Sequence, residues 1–137
     1  MRLHPYCLQR QAFYSSAQIA KHTLDYAELI LEAGIFPQVV IAIRDKDTNL
    51  RKEAANLIKE LCKHSYETSQ IVVNSGAVTA LVDYLEETKG SAAKPGIMAL
   101  GYIAAHSDTQ AITIIKSHVR FSILSKKLIS GSDSTEK

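Results

Sequence analysis

Histidine ligates metals and moves protons near neutral pH, and three histidines, His22, His64 and His106, recur here at a spacing of 42 residues. A metal ion needs its ligands to converge to within about 2 Å. The neighbouring residues argue against such convergence, because they repeat with the histidines: Lys21-His22-Thr23, Lys63-His64-Ser65 and Ala105-His106-Ser107. Equivalent positions in stacked units form a ladder with rungs about 10 Å apart, the distance between packed helices. Each imidazole is therefore expected to hydrogen-bond carbonyls at the end of a helix, where partial positive charge is also favoured. His4 and Cys7 have no partner pair to complete a site. The chain has no Gly-rich phosphate loop, no nucleophile elbow and no acidic pair that sequence alone brings together. Ser65 and Ser107 read as helix caps. No catalytic, cofactor-binding or metal residue is assigned, and an enzyme is not expected.

The elements that carry these residues repeat as well. Ala33-Gly34-Ile35 recurs as Ser75-Gly76-Ala77 and then as Ser117-His118-Val119. A fixed period of about forty residues marks stacked helical repeats. In the clearest unit, Asp47 or Thr48 caps a long helix over 50–63, whose Leu50, Ala54, Leu57, Ile58 and Leu61 share one side. Ser65 caps a short helix over 66–74, Gly76 turns the chain with a positive φ, and a third helix over 77–86 buries Val78, Leu81, Val82 and Leu85. Upstream, the spacing predicts helices over 24–33 and 35–44, with Pro37 in the first turn of the second. Downstream it predicts a long helix over 91–105 and a short one over 109–117, opened by a capping box from Ser107 to Gln110. Gly96 and Gly101 lie inside that long helix and are expected to mark close packing.

The pattern weakens at both ends. His4-Pro5 opposes helix before Tyr6, and the first long helix is expected to be incomplete. His118 replaces the corner glycine, residues 121–129 make a less regular helix, and 130–137 read as a disordered tail. The repeat domain is thus expected to span 6–129. Uncapped ends should expose apolar surface near Phe13, Ile19 and Leu24, and near Ile114, Ile115 and Ile123, inviting self-association.

With 137 residues, 46% of them hydrophobic and 22% charged, the chain suits one ordered domain. A net charge of +2 is too small to imply nucleic acid, and no apolar run is long enough for a bilayer. Cys7 and Cys62 are expected to be reduced thiols of an intracellular protein.

The period of 42, three helices per unit and a glycine between the first two resemble the armadillo repeat. The segments AQIAKHTLDYAELILEAGIFP (17–37), RDKDTNLRKEAANLIKELCKHSYETSQIVVNSGAV (44–78) and KPGIMALGYIAAHSD (94–108) resemble the sperm-associated antigen 6 family of ciliary central-pair proteins. The fold this implies is an all-α armadillo-type solenoid of about two and a half three-helix repeats. The role it implies is a non-enzymatic scaffold of the axoneme central apparatus, located in cytoplasm, cytoskeleton and cilium or flagellum. A general cytosolic peptide-binding adaptor is the alternative.

In armadillo proteins the long helix of each unit lines a groove, so the resemblance turns attention to the polar side of 50–63. Lys52, Asn56, Lys59 and Lys63 lie at about 180–240° from Leu50. Shifting by 42 aligns Lys52 with Arg10 and Lys94, and Asn56 with Tyr14 and Met98. Arg10, Lys52, Asn56, Lys59, Lys63, Lys94 and Met98 are the expected protein-binding groove. Axonemal proteins, including acidic tubulin tails on microtubules, are the expected partners, with neither nucleic acid nor membrane.

Overall fold

The computed structural model describes residues 5–116. The expected corner at His118, the helix over 121–129, the tail over 130–137 and the exposed Ile123 lie outside the described residues. Along the chain come α1 (Pro5–Ala20), α2 (Leu24–Glu32), α3 (Phe36–Ala42), α4 (Thr48–Lys63), α5 (Tyr66–Asn74) and α6 (Ala77–Glu87). A 3₁₀ turn over Gly90–Ala93 then leads into α7 (Lys94–His106) and α8 (Asp108–Lys116). No helix among the described residues is long and apolar enough to cross a membrane.

The 42-residue period is written first in the caps. Thr23 Oγ1 accepts from the Tyr26 N–H at 3.2 Å, Ser65 Oγ from Thr68 at 3.1 Å, and Ser107 Oγ from Gln110 at 3.1 Å. Each such bond satisfies an N–H that the first helical turn leaves orphaned, contributing about 1 kcal/mol. Asp47 caps α4 twice, through the N–H groups of Asn49 (2.9 Å) and Leu50 (3.1 Å). Between the first two helices of each unit the backbone must enter the left-handed region, which glycine does without steric cost. Gly34 (φ 75°) and Gly76 (φ 83°) sit there.

The long helices α1, α4 and α7 pack side by side, with α4 in the middle. Leu50, Ala54, Leu57, Ile58 and Leu61 are all fully buried, as the amphipathic pattern requires. Each of the larger ones contributes roughly 1.5–3 kcal/mol by leaving water. On α6, Val78, Leu81, Val82 and Leu85 are buried too.

Several expectations need correction. The first long helix is not incomplete: α1 begins at Pro5, where a missing N–H costs nothing, and is 16 residues long, the length of α4. The third long helix starts at Lys94 rather than at 91, because Gly90 turns with φ 71° and Pro95 then occupies the first turn. Gly96 does mark close packing, since a Cβ there would stand 3.0 Å from Leu85 Cδ2, but Gly101 faces open space. The capping box is half formed, because the Gln110 side chain turns away from Ser107. At the ends, Phe13 is buried against the neighbouring long helix, Leu24 is half-buried and Ile114 is buried, while Ile19 and Ile115 are exposed.

Candidate functional site

The three histidines do not meet. His64 Nε2 lies 2.5 Å from the carbonyl of Ala20, and His106 Nε2 lies 2.6 Å from that of Cys62. A carbonyl only accepts, so Nε2 carries the proton in both. The expected carbonyl contact is present, but with a partner that sequence did not anticipate. Each imidazole reaches the C-terminal turn of the preceding long helix, not its own, so these bonds tie unit to unit. The His22 imidazole has no hydrogen bond among the described residues; its backbone N–H donates to the Ile19 carbonyl at 3.2 Å. Those residues include no group of three or more His, Cys, Asp or Glu placed to hold a metal.

A second polar tie runs between the short helices. Gln110, buried on α8, accepts from Ser69 Oγ at 2.9 Å and donates to Gln70 Oε1 at 3.0 Å and to the Tyr66 carbonyl at 3.4 Å. Beneath it, burial pushes the Cys62 thiol up, with a weaker opposing pull from Ser69. Sequence reading also missed Arg51, which clamps α4 to α6. Its guanidinium donates to Glu87 Oε2 at 2.9 Å and to Thr88 Oγ1 at 3.2 Å, and it lies 5.6 Å from the centre of the Tyr84 ring. Burial raises the Tyr84 phenol, opposed by its hydrogen bond with Thr88 and the Arg51 charge. That phenol donates to the Ala92 carbonyl. The positions equivalent to Arg51 are Gln9 and Ala93, so no periodic signal announces this clamp.

Arg10, Lys52 and Lys94 occupy one equivalent position on α1, α4 and α7. Arg10, Tyr14, Lys52, Glu53 and Asn49 line a concavity of about 380 Å³ between α1 and α4. Lys94 and Met98 are exposed at the equivalent rung of α7. Arg10, Lys52 and Lys94 make no ion pair among the described residues. Lys59 and Lys63 are placed differently. Lys59 Nζ lies 3.1 Å and Lys63 Nζ 3.9 Å from the carboxylate of Glu60, which is itself buried. Their charge is committed within the chain, and Lys59 is largely covered. Asn56 is half-buried between the two sets. On the far edge, Arg44 pairs with Asp83 at 3.1 Å in a separate acidic hollow of about 220 Å³.

No family model matches the chain. Importin subunit alpha-6 of Arabidopsis thaliana is 24% identical over 98 residues, which is 71% of this chain and 18% of that protein. A designed armadillo repeat protein in complex with the peptide (KR)4 superposes with a TM-score of 0.77 at 24% identity, over 80% of this chain and 46% of its own. An engineered protein superposes with a TM-score of 0.79 at 25% identity, over 85% of this chain and 28% of its own. The chain therefore spans less than half the length of each. Long helices side by side, glycine corners and these neighbours define an all-α solenoid of armadillo-type repeats.

Proposed function

We propose that the chain is a non-enzymatic armadillo scaffold whose groove holds an extended acidic segment of a partner protein. The observation that carries this is the row Arg10, Lys52 and Lys94, three cations at one position of successive long helices, none of them in an ion pair among the described residues although Glu53 lines the same concavity as the first two. Two of them share one concavity with Tyr14. The designed neighbour takes a basic peptide; the sign of this row favours the opposite charge. Long-range attraction of this kind speeds encounter and selects sign more than it adds raw affinity. Beside the cations, Tyr14 and Met98 offer exposed apolar surface for a hydrophobic side chain in the same segment.

The setting we propose is the axoneme central apparatus of cilia and flagella, with acidic tubulin tails among the partners. It is supported by the segments over 17–37, 44–78 and 94–108 that resemble central-pair proteins. Reversing the row (Arg10→Glu, Lys52→Glu, Lys94→Glu) and titrating a glutamate-rich peptide by fluorescence anisotropy tests the groove. Affinity should fall by about tenfold to a hundredfold, for roughly 0.5–1 kcal/mol per exposed charge contact. Unchanged binding removes the groove reading. A tagged chain absent from axonemes of ciliated cells removes the axonemal setting and leaves the groove intact.

A further inference from the structure

The long helix α7 is tied to α4 at both of its ends. At the C-terminal end the His106 imidazole donates to the Cys62 carbonyl at 2.6 Å. At the N-terminal end the tie is built from Arg51 on α4 and Tyr84 on α6. Arg51 donates to Glu87 at 2.9 Å and to Thr88 at 3.2 Å, and its guanidinium stands 5.6 Å from the centre of the Tyr84 ring. Tyr84 is 3% exposed, and its phenol donates to the Ala92 carbonyl, two residues before Lys94. Two residues after Lys94, a Cβ at Gly96 would stand 3.1 Å from Tyr84 Cδ1. The backbone on either side of Lys94 is thus held by Tyr84, and Tyr84 is covered by the residue next to Lys52.

Packing alone would leave this register loose. Apolar burial is non-directional, and the residues buried nearest the start of α7 are Ala93, Gly96 and Ala99. Side chains so small interdigitate little, which leaves directional bonds to set how far α7 slides along α4. Lys94 and His106 lie about 18 Å apart along the helix. A tie at each end resists pivoting, which a tie at one end does not. Glu87 is 68% exposed, so its ion pair adds little by itself. The strength lies in a guanidinium, 14% exposed, that makes several contacts at once. One unit earlier the positions equivalent to Arg51 and Tyr84 hold Gln9 and Ala42, which cannot build such a tie.

We propose that Arg51 and Tyr84 are positioning residues for the groove: they hold Lys94 at a fixed distance from Lys52, so that the groove selects the spacing of acidic residues in its partner as well as their charge. The inference rests on the acidic-segment reading of that groove. Neighbouring rungs stand about 10 Å apart, and an extended segment advances about 3.4 Å per residue. The matching acidic residues therefore lie about three apart. Without the tie, a slip of half a helical turn moves Lys94 by about 2.7 Å, close to one residue of the segment.

Two measurements on the full chain test this, one of them without any ligand. Nitroxides on Lys52→Cys and Lys94→Cys, in a Cys7→Ser background, report the distance between the rungs by dipolar broadening; Cys62 is buried and stays unlabelled. The distribution should be narrow in the labelled parent and about 2–3 Å broader once Arg51→Met or Tyr84→Phe is added, with far-UV circular dichroism unchanged. His64→Ala loosens the other interface and should leave the distribution as it was, which separates positioning from general loss of stability. In the second measurement, peptides with two acidic pairs set two to seven residues apart are titrated by fluorescence anisotropy. Wild type should bind best near three and about fivefold more weakly two residues beyond. In Arg51→Met and Tyr84→Phe that profile should flatten to within about twofold, while a peptide with a single acidic pair binds all three proteins alike. An unchanged label distribution in both variants overturns the clamp. A broadened distribution with an unaltered spacing profile overturns its service to the groove. Peptides that bind wild type no better than a neutral control overturn the groove reading and the spacing rule with it, whereas the labels then report the clamp alone.

Discussion

Removing one imidazole from the ladder separates a bond that holds units together from one that merely decorates a surface. His64→Ala leaves the Ala20 carbonyl, and His106→Ala the Cys62 carbonyl, without the donor now 2.5 Å and 2.6 Å away. Both carbonyls stand in the last turn of a helix, where intrahelical partners run out. A net hydrogen bond contributes about 0.5–1.5 kcal/mol, and a part-buried acceptor left without water raises the loss to about 1–2.5 kcal/mol. For a chain of this size that lowers Tm by about 3–6 °C per kcal/mol. His22→Ala, which removes no bond among the described residues, should stay within about 0.5 kcal/mol. Urea titrations on dilute protein, followed by far-UV circular dichroism, measure all three, dilution keeping self-association out of the result. The double variant His64→Ala/His106→Ala should be additive to within about 0.5 kcal/mol, the two bonds lying in different interfaces. Equal losses for His22→Ala and His64→Ala would refute the ladder.

Alkaline pH should destabilise the fold through Cys62. Its thiol is raised by burial, so the stabilisation is complete below the unfolded value of about 8.5 and is lost as pH climbs towards the folded one. Stability should fall by about 1.4 kcal/mol per pH unit above that point, with Tyr84 adding a limb of the same sign only above about pH 10. Cys62→Ala, which installs the residue found at the equivalent positions 20 and 104, should remove the first limb; an unaltered slope in denaturation from pH 8 to 10 would contradict it. Two glycines should respond with opposite signs. Gly76→Ala forces a side chain into φ 83° and should cost about 1–2 kcal/mol, whereas Gly101→Ala fills open space inside a helix and should stabilise by about 0.5–1 kcal/mol. Shifts of the same sign in the urea midpoint would show that one of the two backbones is misassigned.

The repeat was legible because packing against an identical neighbour imposes identical demands. Thr23, Ser65 and Ser107 each open a short helix at the same step, and Gly34 and Gly76 each turn a corner that other residues enter only at a cost. What periodicity could not reveal is anything present in one unit alone. Arg51, clamped to Glu87 and Thr88, has Gln9 and Ala93 at its equivalent positions. Glu60, which takes up Lys59 and Lys63, replaces Gln18 and Tyr102. A helical projection places those lysines on the groove side, yet it is blind to the buried carboxylate of Glu60, next to Lys59 and one turn from Lys63, that holds their charge. The exposed ends misled for a related reason. Phe13 looks uncovered in sequence, but it belongs to the face that α1 inserts against α4, and the uncovered side is the one carrying Leu8 and Ile19.

Within the stack, rows differ in how much they vary. One row between long helices stays small, as Ala20, Cys62 and Ala104 do, whereas the row of Phe13, Ala55 and Ile97 does not. The groove row of Tyr14, Asn56 and Met98 varies widely as well. That freedom gives the groove a direction. Arg10 and Lys52, in no ion pair among the described residues, share the α1–α4 concavity with Glu53, while at the α7 end Lys94 is followed by Met98, Gly101 and Ala105. A segment lying along the rungs therefore meets charge first and apolar surface last. Under the proposed function its acidic residues belong at the α1–α4 end and its hydrophobic residue at α7. A peptide with that order reversed should bind more weakly than its parent although the two have the same composition, and equal affinities would mean the groove reads net charge alone.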